Sequence, residues 1–285
     1  ASTAAGITSV IERGASLEGY RTYEALKAAN RLRVRATVTV RIPPADGPTG
    51  VERFIGSLPM RFGDGDDWLF GDEIARLADA PVRRFDFVLE GGAIDHDGAG
   101  TVLTTGQTLL NANRNGWTKA EAEAALAEAL GAKKVIWIDE GLHNDHTDGH
   151  IDNLARFVAP WLVVCQAPAG ADDPNADILD AIARALECQT DANGRGLEIV
   201  RIPGAGLYRN AIGELGPASH MNFIIGNGVV AVPVYGTPTQ DAALGALREL
   251  FPDRHVIGID SRGLLGFGTA GGGSFHCITQ QEPIR

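Results

Sequence analysis

The chain has 285 residues, 44% of them hydrophobic and 21% charged, with a formal net charge of −11. That is the composition of an ordinary globular protein with a sizeable core, and its negative balance disfavours nucleic acid or an anionic membrane surface as partner, because phosphates would be repelled. Its three cysteines, none in a Cys-x-x-Cys pair, form neither a disulfide framework nor a zinc cluster and fit a reducing cytoplasm, and no apolar run approaches the roughly 20 residues that span a bilayer.

The first residues, Ala1-Ser-Thr-Ala-Ala-Gly6, lack the basic and apolar regions of a signal peptide, and the missing initial Met suggests a fragment. Residues 6–12 read as a strand, 17–30 as a helix with apolar positions at Leu17, Tyr20, Tyr23 and Leu26, and 32–40 as an alternating strand. Together they predict a βαβ segment with a right-handed crossover. The breaker-rich Ile42-Pro-Pro-Ala-Asp-Gly-Pro48 and a Gly- and Asp-rich stretch over 61–71 follow. A boundary is expected near 70–80, separating an N-terminal segment, 1–75, from a domain, 76–285.

From residue 84 a pattern recurs. Strand-like runs at 85–89, 101–104 and 107–110 precede a helix over 119–130, opened by a Thr118/Glu121 capping box, and a strand over 134–138. Strands at 150–158 and 161–166, a helix over 176–188 and a strand over 197–202 make the next unit. A third has a strand at 221–225, a hairpin turn at Gly226-Asn-Gly228, a strand at 229–234, a helix over 238–250 and a strand at 255–259. The helices are spaced by about 60 residues, so one ββαβ module repeats. Residues 274–280 would begin a fourth. Such a module cannot cover its own sheet faces and is expected to stack radially with its copies.

Two stretches carry chemistry. In Asp145-His-Thr-Asp-Gly-His-Ile-Asp-Asn153, an extended backbone would point His150 and Asp152 the same way and Ile151 into packing. Alone, a His-x-Asp is more often a solvated loop. The second stretch, Gly271-Gly-Gly-Ser-Phe-His-Cys277, delivers a thiol past a glycine run where a substrate can approach closely. Cysteine, a distant histidine and a carboxylate form a nucleophilic constellation. His276, on the opposite face of a strand, is a poor base for Cys277, and His150 is the better one. Cys165 and Cys188 read as packing residues. Glu90, before two glycines, joins Asp152 in offering carboxylates to a planar cation, and a guanidinium uses paired carboxylates better than an ammonium does.

The segments Phe87-Val-Leu-Glu-Gly-Gly-Ala-Ile94, Leu110-Asn-Ala-Asn-Arg-Asn115, Asp148-Gly-His-Ile-Asp-Asn153, Phe223-Ile-Ile-Gly-Asn-Gly-Val-Val230 and Gly271-Gly-Gly-Ser-Phe-His-Cys-Ile-Thr-Gln-Gln281 resemble the agmatine deiminase family, kin of the bacterial peptidyl-arginine deiminases. The resemblance runs from about residue 80 to the C-terminus. It implies an α/β fold, a pentein-like propeller of ββαβ modules, here incomplete and preceded by the βαβ segment. It also implies hydrolysis of agmatine to N-carbamoylputrescine and ammonia through a covalent thiouronium. Cys277 then resembles the nucleophile, His150 the general acid and base, Asp152 and Glu90 the guanidinium-binding carboxylates, with Gly272 and Gly273 at the substrate. No metal or organic cofactor is implied. The partner is a small cationic guanidine, and a homo-oligomer is left open.

The family's further binding Asp, in an Arg-Asp-x-Gly-Pro motif, has no counterpart: Arg61-Phe-Gly-Asp64 differs in spacing and lacks the proline. Asp145 and Asp148 are the acids nearest to replacing it. Residues 1–70 are weakly similar to part of an amidohydrolase β/α barrel but carry no His-x-His metal motif. The alternative reading is therefore a catalytically impaired guanidine-binding remnant or chimera.

Overall fold

Three times along the chain an antiparallel pair of strands, a helix and a further strand follow one another, and each set closes into one three-stranded sheet. The computed structural model describes residues 9–15, 35–40, 83, 85–209, 213–265, 274–277 and 279. Contacts divide the chain into one unit built mainly of Phe87–Ile278 and another of Ile7–Asp86 with Thr279–Arg285. In the latter, β1 (Ser9–Ala15) and β2 (Arg35–Val40) pair in parallel, as a βαβ segment requires. The helix expected at 17–30 lies outside the described residues.

In the larger unit, the first module consists of β3 (Ile94–His96), β4 (Thr101–Thr105), the short α1 (Gly106–Leu109), α2 (Lys119–Leu130) and β5 (Lys134–Ile138). The second is β6 (Ala155–Ala159), β7 (Leu162–Ala167), α3 (Ala176–Glu187) and β8 (Glu198–Pro203). The third is β9 (Ile224–Ile225), β10 (Val229–Val234), α4 (Gln240–Leu250) and β11 (His255–Asp260), followed by α5 (Arg262–Leu265). In each sheet the middle strand pairs antiparallel with the strand before it and parallel with the one after the helix. The α/β class and the recurring module are thus as the sequence predicts. No helix among the described residues is long and apolar enough to cross a membrane.

Local signals account for the module boundaries. Thr118 and Glu121 form the expected capping box, and Gly131, at φ 72°, ends α2 in the left-handed region that favours glycine. The Gly226-Asn-Gly228 turn places Ile225 opposite Val230. Five expectations fail. Residues 107–110 fall largely in α1, because the Thr105 hydroxyl accepts the Thr108 N–H at 3.2 Å and caps a helical turn there. The 85–89 run is not a strand, and β9 keeps only two residues of the 221–225 prediction. His150 and Asp152 do not lie on a strand: Ile151–Asn153 form a 3-10 turn. Residues 275–277 are likewise a turn, not the opening strand of a fourth module.

Each later helix joins two modules. The apolar face of α3, Leu179, Ile182, Ala183 and Leu186, shares one core with Val163 and Cys165 of its own sheet and with Leu103, Ile136 and Ile138 of the first. Ala243, Leu244 and Leu247 of α4 do the same with Val230 and Val232 of the third sheet and Val164 and Ile202 of the second. Burying a leucine such as Leu186, wholly removed from solvent, contributes roughly 1.5–3 kcal/mol, which drives the stacking.

A polar tie also crosses all three modules. Buried Arg156 of β6 donates from Nε to Asp95 Oδ1 of β3 at 2.9 Å and from Nη1 to the carbonyls of Met221 (3.3 Å) and Phe223 (3.0 Å). Asp95 Oδ2 also accepts the Phe157 N–H at 2.6 Å.

Candidate active site

The site residues sit on loops, and threonines at the end of the first sheet's middle strand hold two of these loops in place. Thr104 donates to the Ala93 carbonyl at 2.8 Å, fixing the 3-10 turn Gly91–Ala93 that follows Glu90. Thr105 and Thr108 donate to the carbonyls of Gly149 (2.8 Å) and Asp148 (2.6 Å), fixing the turn before His150. That turn passes so near Gly141 that a Cβ there would lie 2.2 Å from the Gly149 Cα. Such an approach needs glycine on both sides.

These anchors bring together residues the sequence marked. A Cβ on Gly92 would lie 2.5 Å from His150 Nδ1 and 2.7 Å from Asp152 Oδ2, so imidazole and carboxylate flank one point above the glycine. Asp152 Oδ2 in turn stands 3.3 Å from the Cys277 sulfur. Glu90 Oε2 lies 3.4 Å from His150 Nε2 and also binds the Arg114 Nε–H. The thiol, the imidazole and both carboxylates therefore form one connected set. Their proximity does not come from strand alternation. The 3-10 turn directs Ile151 into the core and leaves its two neighbours facing Gly92. Gly272 and Gly273 lie outside the described residues, as does Asp64.

Charge and burial set the state of these groups. Burial pushes the Asp152 carboxyl up, but the hydrogen bond and charge of His276, whose Nδ1 is 2.9 Å away, together with the charges of His150 and Arg156, bring it below its usual value. The Cys277 thiol is raised well above its usual range by burial and by the Asp152 charge. Burial also raises Glu90, but the hydrogen bonds and charges of His150 and Arg114 outweigh it and hold that carboxyl near about 2.

A pH prediction follows for Glu90. Its folded value, about 2, lies below the ordinary 4.5. The stability it contributes is therefore complete above the unfolded value and is lost as pH falls from about 4.5 towards 2. The size is on the order of 3 kcal/mol, from 1.36 kcal/mol per pKa unit. Urea unfolding of Glu90→Gln between neutral pH and pH about 3 is expected to lack this part of the acid loss. An identical pH slope in both proteins would remove Glu90 as its source.

Several neighbours escape the sequence reading. Asn222, fully buried, donates from Nδ2 to the Cys277 sulfur at 3.2 Å and accepts the backbone N–H groups of His276 (2.9 Å) and Cys277 (3.3 Å) on Oδ1. His276, set aside on the assumption of a strand, reaches Asp152 because residues 275–277 turn. Arg114 links Glu90 to Asp148, its Nη1 lying 2.8 Å from Asp148 Oδ2. Arg114 falls inside one of the segments that carry the family resemblance, but nothing local to it announces the pairing. Of the two acids considered as a replacement, Asp145 spends Oδ1 on Thr147 and Oδ2 on Asn153, while Asp148 pairs with Arg114 and Asn113. Cys165 is buried, its thiol pushed by that burial to about 11, and Cys188 is exposed.

A family model, Porphyromonas-type peptidyl-arginine deiminase, matches residues 62–283. Among curated proteins, the agmatine deiminase of Stutzerimonas stutzeri is 38% identical over 241 residues, 76% of this chain and 64% of that one. The agmatine deiminase of Pseudomonas aeruginosa is 38% identical over 240 residues, again 76% of this chain and 64% of that one. The chain thus spans a little under two thirds of the length of these relatives. Among solved structures, the agmatine deiminase of Enterococcus faecalis superposes with a TM-score of 0.73 at 25% identity, covering 97% of this chain and 93% of that one.

Proposed function

The chain belongs to the Porphyromonas-type peptidyl-arginine deiminase family, and from that premise we propose that it hydrolyses agmatine to N-carbamoylputrescine and ammonia. The observation that carries the reading is the buried Asp152 carboxylate 3.3 Å from the Cys277 sulfur, its Oδ1 without a hydrogen-bond partner among the described residues. A buried carboxylate oxygen in that position calls for a donor, and a guanidinium bound there would present its carbon to the sulfur.

The proposed steps use only this chain's groups and water. Cys277 ionises when the cation settles against Asp152, its proton passing to His150, because the charge that opposes its deprotonation is then neutralised. The thiolate attacks the guanidinium carbon. His150 delivers a proton to the departing nitrogen, ammonia leaves, and a thiouronium remains on the sulfur. His150 then takes a proton from water, hydroxide adds to the same carbon, and the C–S bond breaks to release the ureido product. Glu90, anchored by Arg114, orients His150 and contributes negative charge towards the cation. Gly272 and Gly273 belong to the same reading as backbone that lets the substrate approach. It also includes a pentein-like ring of modules around the site, supported by three ββαβ copies, and a cytoplasmic location, supported by the widely spaced cysteines.

Incubation with agmatine is expected to give ammonia and N-carbamoylputrescine in equal amounts. A haloacetamidine, a reactive mimic of the cation, should add once, at Cys277, leaving Cys165 and Cys188 unlabelled. Calorimetric binding of agmatine without ammonia release would overturn the hydrolytic assignment, and labelling confined to Cys188 would remove Cys277 from it.

A further inference from the structure

We infer that Asn222 is a catalytic residue that donates a hydrogen bond to the ionised Cys277 sulfur and aims it at the substrate carbon. The inference rests on the reading of Cys277 as nucleophile. Nothing in the Asn222 sequence neighbourhood suggests it, since its partners lie 54 to 69 residues away.

The orientation of the Asn222 amide follows from its partners. Two backbone N–H groups, of His276 and Cys277, converge on one end, 2.9 and 3.3 Å away. An N–H can only donate, so that end is the carbonyl oxygen. The other end is then the NH₂ group, whose hydrogens go to Asn153 Oδ1 at 3.0 Å and to the Cys277 sulfur at 3.2 Å. Asn153 is itself oriented by Asp145, whose Oδ2 accepts its Nδ2–H at 3.3 Å. The full complement of this buried amide is in use, and one of its four bonds ends on the reacting atom.

That bond changes meaning when the thiol ionises. With a neutral thiol it is a weak contact, because S–H is a poor acceptor. With a thiolate it becomes a charge-assisted bond in a low-dielectric setting and is stronger. Asn222 therefore favours the state that attacks. Among the described residues, the titratable groups near the sulfur are Asp152 across the site, His276 beside it, and Tyr235 just past β10. His150 and Arg156 act on Asp152 through their charges. Asp152 opposes ionisation, and Tyr235, raised by burial to about 12, stays neutral. Asn222 offsets part of the Asp152 effect through a neutral donor, so it leaves the cation-binding charge intact.

Asn222→Asp separates this role from a merely structural one. The carboxylate keeps an acceptor for both backbone N–H groups but has no hydrogen for the sulfur. Alkylation of Cys277 by iodoacetamide, a neutral reagent that needs no cation site, is read as a function of pH in the protein without substrate. The variant is expected to react about tenfold more slowly near neutral pH, with its midpoint displaced to higher pH. Asn222→Ala, which removes the donor without adding charge, should move the same way by less. In the unaltered protein, the side-chain amide resonances of Asn222 should titrate with the midpoint of alkylation, a readout that needs no variant to fold. An unchanged alkylation profile in a folded variant, or Asn222 resonances indifferent to thiol ionisation, would overturn the inference. Agmatine turnover with an unchanged profile would sink it alone. An Asn222-dependent profile without turnover would instead count against the hydrolase reading.

Discussion

Gly92→Ala is expected to lower agmatine turnover by at least about a hundredfold while the protein stays folded, whereas Gly91→Ala should change it by only a few fold. The two glycines are neighbours in one 3-10 turn, and neither has a positive φ, so backbone conformation does not separate them. What differs is the space a methyl group would enter. At Gly91 nothing lies within 4 Å, but at Gly92 the new carbon would fall 2.5 Å from His150 Nδ1 and 2.7 Å from Asp152 Oδ2. Both atoms must retreat by about 1 Å or more to reach ordinary contact, and displacements of that order cost about 10² in rate when reacting groups must align. Steady-state kinetics on the two variants check this. Equal loss in both would mean that the turn itself, not the space above Gly92, matters.

Arg156→Met should destabilise the protein by about 3–5 kcal/mol, the usual cost of leaving one member of a buried ion pair alone. The side chains of Arg156 and Asp95 are only 5% and 11% exposed. Methionine would also abandon the carbonyls of Met221 and Phe223. Because Asn222 lies between those two residues, the loss of stability should be accompanied by a loss of activity. Denaturant unfolding measures the first effect, with Arg201→Met as the comparison. That change breaks a more exposed pair, Arg201 Nη2 to Asp180 Oδ1 at 2.6 Å, and surface pairs contribute about 0–1 kcal/mol. If the two variants unfold alike, Arg156 is not the tie between modules described above. Adding Asp95→Asn to Arg156→Met should recover part of the stability, since the stranded charge goes with it.

The candidate site was legible as a set of residue types. Cys277, His150, Asp152 and Glu90 could be chosen because nucleophilic attack on a guanidinium needs a thiolate, a proton carrier and negative charge, and glycines and short motifs mark where such groups are exposed. Their geometry was less legible. A strand was the natural reading of His150-Ile-Asp152, since alternation would explain two polar residues around one apolar one. A 3-10 turn achieves the same separation once Ile151 is fully buried. The assumption of a strand also hid His276, which a turn brings to Asp152. Asn222 and Arg114 were not found because their partners are remote: the amide of Asn222 lies 55 residues from the sulfur it touches, and Asp152 lies 125 from it.

By itself the sequence determined the repeating ββαβ order, the capped helix at Thr118 and the hairpin at Gly226-Asn-Gly228. Each of these depends on interactions within a turn or two of chain, where spacing along the sequence is nearly spacing in space. Tertiary structure alone decided which donor meets the sulfur, which guanidinium holds Glu90 and how Arg156 joins the first two sheets to the segment that leads into β9. Those pairings are set by which polar groups are stripped of water together when distant segments pack, and no local pattern encodes that.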